Sequence, residues 1–535
     1  MHSTLTKNIR AGDIQHYRHK TQRLVISKSL LLLTLLILGG CALPSIESRL
    51  LSSALNVEDA QKTMLGEAIA PLAKQHPQKS GIRLLGNPKD AFAARMLLAL
   101  SAQKTLDIQY YIWQKDITGA LLFEAIAGAA ERGVRVRLLL DDNGINGLDD
   151  ALAALNRLDN VEVRIFNPFA QRRFKWFGFI TDFSRVNRRM HNKSFTVDNS
   201  VTVIGGRNIG DDYFGATGGI LKQDLDLVAV GDVVNEVSTD FDKYWVSQSA
   251  YPIENIIKTS QTTQYSTAEY LPAQVSNPDR DIYLNALKNS SLVKTLLAKQ
   301  LKFEWKSARM ISDDPAKGVG KHGKKSLLFY KLVHIVGHPN SNVLLVTPYF
   351  VPTKAGVKAF AELAKQGVSI TILTNSMQAT DVLPVHSGYA KHRKALLKAG
   401  IHLYELRSTA EDANKNIKKL GPFGSSASNL HAKTFVIDSQ RLFVGSFNFD
   451  PRSMHLNTEL GFIIESPSLA AQVEQEFYQE AEHTAYQLRL DQRGKIQWVE
   501  TNGDTETVHQ TEPGMTLFSR AALSVLSILP IDWLL

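Results

Sequence analysis

The sequence predicts an α/β protein with two similar domains in one chain of 535 residues. Two observations carry this prediction. Apolar runs of strand length alternate with segments of helical spacing, and a short polar motif occurs twice, 240 residues apart. Apolar residues make up 44% of the chain and charged residues 21%. That composition is typical of a globular protein, and it excludes a mostly disordered chain, a collagen-like repeat and a polytopic membrane protein.

The chain begins with a segment that is typical of a secretory signal. A basic stretch ends at Lys28, the apolar run 30–38 follows, and Cys41 comes after two glycines. The run is too short to span a bilayer comfortably. Leu-Gly-Gly-Cys resembles the bacterial lipobox, in which the cysteine is lipidated. We therefore expect a lipoprotein signal peptide over 1–40 and an anchor segment over 41–85. The alternative is a short membrane anchor with an incidental cysteine.

This N-terminal segment predicts a membrane-anchored lipoprotein of the bacterial cell envelope that faces the periplasm. Ala42 after the cysteine hints at the outer membrane, and the choice between outer and inner membrane stays open. The net charge of +9 is concentrated in residues 1–40, and the remaining chain carries only +4. The charge is therefore a weak argument for a polyanionic partner. A single cysteine excludes a disulfide framework and a cysteine-rich metal site.

Each half of the chain contains a strand–helix–strand pattern. In the first half it comprises the strand Leu106–Trp113, the helix Thr118–Arg132, a stop at Gly133 and the strand Val134–Leu140. In the second it comprises the strand Val343–Val351, the helix Thr353–Gln366, a stop at Gly367 and the strand Val368–Leu373. Strands that alternate with helices of this length predict parallel βαβ units.

The repeated motif is the most specific signal. The first copy reads HNKSFTVD over 191–198 and GGRN over 205–208, and the second reads HAKTFVID over 431–438 and GSFN over 445–448. Histidine and lysine two residues apart on a strand point to the same face. Each copy continues through an aspartate and an apolar strand to a glycine turn that presents an asparagine.

These residue types can transfer a phosphoryl-containing group. One histidine can attack phosphorus as a nucleophile, while a second, protonated histidine gives its proton to the leaving oxygen. Lysines and asparagines can hold the non-bridging oxygens and stabilise charge in the transition state. This chemistry needs no metal, and we expect no cofactor. Because the copies lie far apart in sequence, the site must form where the two domains meet.

The doubled pattern His-x-Lys-x-x-x-x-Asp resembles the phospholipase D superfamily, over about residues 90–487. The resemblance implies two α/β domains related by a pseudo-twofold axis. It also implies that His191 is the nucleophile and His431 the general acid, following the majority pattern of the family. The implied phosphate-binding residues are Lys193, Lys433, Asn208 and Asn448.

The resemblance also implies further site residues. Asp198 and Asp438 complete the catalytic motif and have a structural role in this family. A carboxylate is expected to orient each histidine, and Glu459 lies where the family places one. In the first half Asp224 is favoured over Asp226. Many members place a phosphate-contacting hydroxyl after the motif strands; Ser446 supplies it in the second copy, whereas the first has Gly206.

Neighbouring segments resemble bacterial cardiolipin synthases, especially the C type. They are DIQYYIW (107–113), TPYFVP (347–352) and ITDFSRVNRRMHN (180–192). This resemblance implies transfer of a phosphatidyl group onto phosphatidylglycerol, with phosphatidylethanolamine as one donor. A hydrolytic phospholipase D, a nuclease of the superfamily and a non-catalytic envelope lipoprotein are the alternatives. The expected partners are phospholipid substrates and a membrane surface, and no nucleic acid. Whether an accessory protein is needed stays open.

Aromatic and basic residues interleave just before the first motif. The aromatic ones are Phe169, Phe174, Trp176, Phe177 and Phe179, and the basic ones are Arg172, Arg173 and Lys175. This composition is typical of membrane contact, although a buried loop with a basic rim is the alternative. The arginines that follow, Arg185, Arg188 and Arg189, either bind a second headgroup phosphate or solvate a turn.

Composition also divides the chain. We expect the first domain over 86–257, a Ser/Thr/Gln-rich linker over 258–285 and the second domain over 286–500. An apolar C-terminal tail over 501–535 follows, and the polar segment 308–325 is expected to be a loop.

Overall fold

A computed structural model of the chain describes most of its residues. They are 43–47, 49–217, 221–257, 266–380, 382–407, 430–503, 505–516, 523, 526 and 534–535. The predicted signal peptide and Cys41 lie outside these residues. Among the described helices, each is too short or too polar to cross a membrane.

The first half of the chain forms a mixed sheet. Its strands are β1 Ser80–Leu85, β2 Thr105–Ile112, β3 Arg135–Gly144, β4 Val161–Phe166, β5 Ser194–Val197, β6 Val201–Gly205, β7 Asp226–Gly231 and β8 Ala250–Pro252. They are ordered β8-β4-β3-β2-β5-β6-β7-β1. The strands β2, β3 and β4 run parallel, and the other pairings are antiparallel.

The second half repeats this plan. Its strands are β9 Glu304–Ser312, β10 Asn342–Val346, β11 Ser369–Asn375, β12 His402–Leu406, β13 Thr434–Ile437, β14 Arg441–Gly445, β15 Leu460–Glu465, β16 Ala485–Leu490, β17 Ile496–Asn502 and β18 Thr505–His509. The order β12-β11-β10-β13-β14-β15 matches β4-β3-β2-β5-β6-β7 strand for strand. The predicted α/β class and the duplication are therefore confirmed.

Strand β9 joins the two sheets, because it pairs antiparallel with β1 through residues 304–306 and with β15 through residues 307–312. Its second half overlaps the segment 308–325 that we expected to be a loop. That expectation was wrong as far as Ser312, because these residues are paired with β15. A 3₁₀ turn, Pro315–Val319, follows it, and Lys317 in this turn is buried.

Helices cover the sheets. They are Val57–Ala60, Met64–Gln75, Pro88–Ser101, Ile117–Glu131, Asp149–Leu155, Gly178–Thr181, Phe183–Val186, Asp211–Phe214, Asp232–Trp245, Ile253–Ile256, Thr267–Tyr270, Pro272–Val275, Asp279–Lys288, Ser291–Leu297, Leu328–Val336, Thr353–Lys365, Leu383–Ala390, Arg393–Lys398, Pro451–His455 and Pro467–Thr484. Short 3₁₀ turns span Lys175–Phe177, Pro315–Val319 and Lys324–Ser326.

Specific residues fix the start of the first crossover helix and the ends of both crossover helices. Asp116 caps the first helix by accepting a hydrogen bond from the backbone N–H of Gly119. That helix stops before Gly133, whose φ is +88°, and the second stops before Gly367, whose φ is +90°. Only glycine adopts this backbone without strain, so each glycine fixes where its helix turns into the next strand.

The predicted linker contains more structure than its composition indicates. Its described part, from residue 266 on, holds the helices Thr267–Tyr270 and Pro272–Val275 and the start of Asp279–Lys288. Leu271 and Tyr283 are buried against the first domain. A few well-placed apolar residues are enough to fix this segment. The predicted C-terminal tail begins with the end of β17 and the polar strand β18.

Residues 169–183, the aromatic–basic segment, belong to a different compact unit from 46–168 and 184–535, and contain the 3₁₀ turn Lys175–Phe177 and the helix Gly178–Thr181. Within it Phe169 is buried, and its ring centroid lies 5.5 Å from that of Phe179. Four large apolar side chains are exposed instead: Phe174 by 54%, Trp176 by 55%, Ile180 by 68% and Phe183 by 39%.

Candidate active site

The segment that leads into each motif strand is held by the opposite half of the chain. Met190 forms a β-bridge with Thr458, and Gln223 forms one with Leu430. The backbone N–H of His191 donates to the carbonyl of Thr458 at 2.9 Å, and that of His431 donates to the carbonyl of Gln223 at 2.8 Å. These exchanged bridges bring the two histidine segments together at the interface of the domains, with the pseudo-twofold relation that the resemblance implies.

His191 rests on a carboxylate of the second half. Its Nδ1 lies 2.8 Å from Glu459 Oε2 and 3.0 Å from the carbonyl oxygen of Ser446. Both neighbours are acceptors, so Nδ1 carries the hydrogen of the neutral imidazole. The lone pair is therefore on Nε2, the atom that a nucleophilic histidine would use.

His431 rests on a carboxylate of the first half, because its Nδ1 lies 2.5 Å from Asp224 Oδ2. The other candidate, Asp226, is already paired: its carboxylate accepts a hydrogen bond from Arg95 at 2.8 Å and from the backbone N–H of Arg207. The structure thus places Asp224, not Asp226, against a motif histidine. The sequence grouped each carboxylate with its own half, whereas the contacts cross between halves.

Both motif lysines lie beside their histidines. Lys193 Nζ donates to the carbonyl of His191 at 2.5 Å, and Lys433 Nζ donates to that of His431 and lies 3.2 Å from its Nδ1. Both side chains are buried. Burial lowers the pKa of each lysine, that of Lys433 to about 8. Two buried lysine side chains at one place form a site for an anion, because a bound anion would stabilise their charged forms.

Burial and the lysines also act on the histidines. They hold the pKa of His191 and of His431 well below the ordinary value, so both imidazoles are neutral at neutral pH. Burial raises the pKa of Asp224 and raises that of Glu459 to about 7. An incoming phosphate diester would neutralise the lysine charges and thereby favour the protonated form of one histidine.

The remaining phosphate-binding candidates are placed differently. The Asn208 side chain donates to Tyr213 Oη at 2.8 Å and accepts from the backbone N–H of Ile112. Asn448 is buried, and its Oδ1 has no hydrogen-bond partner among the described residues. Ser446 Oγ donates to Glu459 Oε2 at 2.5 Å, so its hydroxyl holds the carboxylate in this structure.

The motif aspartates lie at the far ends of their strands. Asp198 accepts hydrogen bonds from the backbone N–H groups of residues 103–105, at the start of β2. Asp438 accepts them from residues 340–342, at the start of β10. Both aspartates have a positive φ, in the turn that joins two strands. Their contacts fix the sheet and do not reach the histidines.

Sequence reasoning missed several neighbours of the histidines. The ring of Tyr111 lies edge-on to His191, and that of Tyr213 lies edge-on to His431, each at 5.1 Å between centroids. Lys222 Nζ lies 3.1 Å from Tyr213 Oη and 2.8 Å from Asp212. The signal for Lys222 was its position two residues before Asp224, and Tyr111 is the second to last residue of β2.

A buried ion pair between Asp313 and Lys317 holds the backbone of Glu459. Asp313 Oδ2 accepts from the backbone N–H of Glu459 at 2.9 Å and from Lys317 Nζ at 2.9 Å. Lys317 also donates to the carbonyl of Ser453. This pair comes from the segment after β9 that we expected to be a loop, and no spacing in the sequence connects it to the motifs.

Comparisons with known proteins agree with this geometry. The family model described as "Cardiolipin synthase, PLD-like domain" matches residues 98–245 and 332–481. Cardiolipin synthase C of Escherichia coli (strain K12) is 48% identical over 88% of this chain and 99% of its own length. An uncharacterized protein of Helicobacter pylori (strain ATCC 700392 / 26695) is 30% identical over 94% of this chain and 98% of its own.

A solved structure shares the fold. Phosphatidylserine synthase of Haemophilus influenzae Rd KW20 superimposes with a TM-score of 0.54 at 15% identity, and the match covers 87% of this chain and 99% of that one. The family match falls on both repeats, and each repeat contributes one histidine, one lysine and one supporting carboxylate. The chain belongs to the cardiolipin synthase family of proteins with phospholipase D-like domains.

Proposed function

We propose that this protein is a phosphatidyltransferase that makes cardiolipin from phosphatidylglycerol and a second phospholipid. The observation that carries the proposal is the crossed pair of contacts His191–Glu459 and His431–Asp224, with a buried lysine beside each histidine. This arrangement supplies a nucleophile, a proton carrier and a cationic site for one phosphate diester. The family model that matches each repeat, and the relative of 48% identity, both carry the name cardiolipin synthase.

In the first step His191 Nε2 attacks the phosphorus of the donor lipid. The new P–N bond forms as the bond from phosphorus to the headgroup oxygen breaks. His431, which is protonated once the phosphate diester is bound, gives its proton to that oxygen, and the headgroup leaves as an alcohol. Glu459 stabilises the positive charge that His191 acquires. Lys193 and Lys433 hold the non-bridging oxygens, where negative charge develops.

In the second step a hydroxyl of phosphatidylglycerol attacks the phosphohistidine. His431 now accepts the hydroxyl proton, a new P–O bond forms and the P–N bond breaks. The product is cardiolipin, and both histidines return to their starting states. Phosphatidylethanolamine is the donor we favour, because the resemblance to the C type implies it.

The test is lipid mass spectrometry after incubation of the purified protein in vesicles of phosphatidylethanolamine and phosphatidylglycerol. We expect cardiolipin together with free ethanolamine. His191→Ala and His431→Ala should abolish both products, and Asp226→Asn is a control for damage outside the histidine contacts. Phosphatidic acid without cardiolipin would instead make the protein a hydrolytic phospholipase D. Unchanged lipids with cleaved nucleic acid would make it a nuclease.

The same proposal includes attachment to the cell envelope. Cys41 would carry the lipid anchor, with the protein facing the periplasm. The exposed Phe174, Trp176 and Ile180 would add a second contact, because aromatic side chains favour the bilayer interface. Arg173, whose guanidinium lies 5.6 Å from the Phe174 ring centroid, would approach anionic headgroups.

Fractionation and flotation test this attachment separately from activity. Cys41→Ser should prevent labelling with radioactive palmitate. Phe174→Ser with Trp176→Ser should weaken binding of the unlipidated protein to vesicles of phosphatidylethanolamine and phosphatidylglycerol. Val508→Ser, which changes an exposed apolar residue elsewhere, is the matched control. Equal binding by all variants would contradict the aromatic contact.

A further inference from the structure

Three arginines precede His191, and the structure distinguishes them by what they contact. Arg189 is buried, and it donates to Asp141 at 3.1 Å and to the carbonyls of Val186 and Asn167. Arg185 donates to the carbonyl of Pro168 at 2.9 Å. These two guanidinium groups hold the backbone around the motif.

Arg188 is different. Of its nitrogens, only Nη1 donates hydrogen bonds to described residues, to the carbonyls of Lys317 and His455 at 3.4 and 3.0 Å. Within the described part of the chain, its Nε and Nη2 have no hydrogen-bond partner, and the side chain is half-buried. An arginine that is fixed on one side and open on the other presents a fork that matches phosphate oxygens.

Two histidines accompany Arg188. His322 is half-buried, and its Nδ1 is buried without a hydrogen-bond partner among the described residues. His455 is exposed on the segment whose carbonyl holds Arg188. Burial lowers the pKa of both histidines, and the positive charges of Arg188 and Lys317 lower it further. The positive charge of this group is therefore that of the Arg188 guanidinium, and the two neutral imidazoles can each donate one hydrogen bond. Arg188, His322 and His455 are here named the basic cluster.

The nearby acidic groups already have partners. Asp313 is paired with Lys317 at 2.9 Å, and Asp314 accepts from the backbone N–H of Ala316. The backbone also passes close to the arginine: a Cβ on Gly320, whose φ is +73°, would lie 3.3 Å from Arg188 Nε. Asn167 ties both segments together by donating to the carbonyls of Arg188 and Gly318, at 2.9 and 2.8 Å. The basic cluster is therefore pre-formed.

The basic cluster also lies near the histidine that would carry the phosphatidyl group. Arg188 precedes His191 by three residues, so their Cα atoms are at most about 10 Å apart. Lys317, which holds Arg188, is joined through Asp313 to Glu459, the partner of His191. Cardiolipin carries two phosphates joined by one glycerol, so a synthase must hold a second phosphate a short distance from the reacting one.

We propose that Arg188, His322 and His455 bind the phosphate of phosphatidylglycerol and so present its free hydroxyl to the phosphohistidine. This inference rests on the proposed function and specifies the acceptor site. It predicts that the chain distinguishes an acceptor with a phosphate from a neutral one. Free glycerol offers the same attacking hydroxyl without the phosphate.

The experiment compares phosphatidylglycerol with glycerol as acceptors in mixed micelles that contain phosphatidylethanolamine. In Arg188→Gln we expect the KM for phosphatidylglycerol to rise roughly 10- to 100-fold, with the KM for glycerol unchanged. His322→Asn should act in the same direction but less strongly. Arg188→Lys should restore part of the affinity. Arg185→Gln is the matched control, and the thermal midpoint of each variant is measured alongside.

Each other outcome overturns the assignment. An unchanged KM for phosphatidylglycerol in Arg188→Gln, or an equal loss with both acceptors, removes the basic cluster as an acceptor site. Inorganic phosphate is added as a second probe. If it inhibits the wild type in an Arg188-dependent way while the KM for phosphatidylglycerol does not depend on Arg188, the cluster binds free phosphate instead. A wild type that forms no cardiolipin fails the proposed function as well.

Discussion

The His191 side and the His431 side of the site are built on the same plan with different parts. On the His191 side a glutamate supports the imidazole, and Ser446 holds that glutamate through its hydroxyl. On the His431 side the shorter side chain of Asp224 supports the imidazole, and Gly206 occupies the position that corresponds to the serine. The second side also has Lys222, which lies against Tyr213.

The difference follows from space. A Cβ on Gly206 would lie 2.2 Å from Asp224 Oδ1, so a serine cannot occupy this position while the aspartate supports His431. The longer glutamate leaves room for Ser446 to donate a hydrogen bond. The residue pairs Gly206 with Asp224 and Ser446 with Glu459 are therefore matched sets. A duplicated fold can thus give its two histidines unequal surroundings, as a nucleophile and a proton donor require.

The largest expected effect comes from the two carboxylates. Glu459→Gln and Asp224→Asn should each reduce cardiolipin formation by roughly 10²–10⁴-fold. They should differ with a donor lipid whose headgroup is p-nitrophenol, which leaves without protonation. Asp224→Asn, which affects the proton donor His431, should then recover most of the rate of p-nitrophenol release. Glu459→Gln, which affects the nucleophile His191, should stay impaired.

Pre-steady-state release of p-nitrophenol checks this comparison. Equal recovery of the two variants would show that the histidines share both roles. Recovery of Glu459→Gln alone would exchange the roles of nucleophile and acid. Asp226→Asn is the matched control, because Asp226 is the neighbouring carboxylate that contacts Arg95 and not a histidine.

A smaller effect on the rate is expected when position 206 receives the serine of position 446, or position 446 the glycine of position 206. Gly206→Ser should displace the Asp224 carboxylate and reduce the rate by about 10²-fold or more. Ser446→Gly removes one hydrogen bond to a charged group, worth roughly 1.5–3 kcal/mol, and should reduce it by about 10- to 100-fold. Steady-state kcat for cardiolipin formation measures both. A larger loss in Ser446→Gly than in Gly206→Ser would contradict the matched-set explanation.

Much of this comparison was accessible from the sequence. The strand–helix–strand repeat predicted the α/β duplication because crossover helices and their glycine stops are set by local spacing. Helix Ile117–Glu131 begins one residue before the predicted start. The His–Lys pairs were visible from their repeated spacing, although the expectation that they lie on a strand was wrong: β5 begins after Lys193 and β13 begins after Lys433. Resemblance to the superfamily then singled out Asp224 and Glu459.

The partners across the interface were not accessible in the same way. The exchange of Asp224 and Glu459 between the histidines depends on how two separate sheets meet, and no local periodicity encodes that. Strand β9 pairs with one sheet through residues 304–306 and with the other through 307–312, and buried and exposed residues do not alternate along it. Lys317 is in a polar segment and is nevertheless buried by its contact with Asp313. Ser446 illustrates a third limit, because its hydroxyl orientation depends on the neighbouring carboxylate.

The smallest expected effect on activity is at the motif aspartates, because their substitution changes mainly the stability of the fold. Asp198 is fully buried and accepts three backbone N–H groups, whereas Asp438 makes similar bonds and is partly exposed to water. Removing a buried acceptor leaves its donors unsatisfied, but water can satisfy exposed ones. Asp198→Ala should therefore cost about 3–5 kcal/mol of unfolding free energy, and Asp438→Ala about 1–2 kcal/mol. Urea titration measures both values.

The pH dependence separates a charge effect from a loss of packing at Asp438. Burial alone would raise the pKa of Asp438, but the N–H groups of Ser341 and Asn340 hold it below its ordinary value. The carboxylate therefore stabilises the fold above the ordinary pKa of an aspartate, and this contribution is lost as the pH falls through the lowered pKa. The difference between wild type and Asp438→Asn should shrink toward pH 3. A difference that is constant between pH 7 and pH 3 would show that the aspartate acts through its shape and not through its charge.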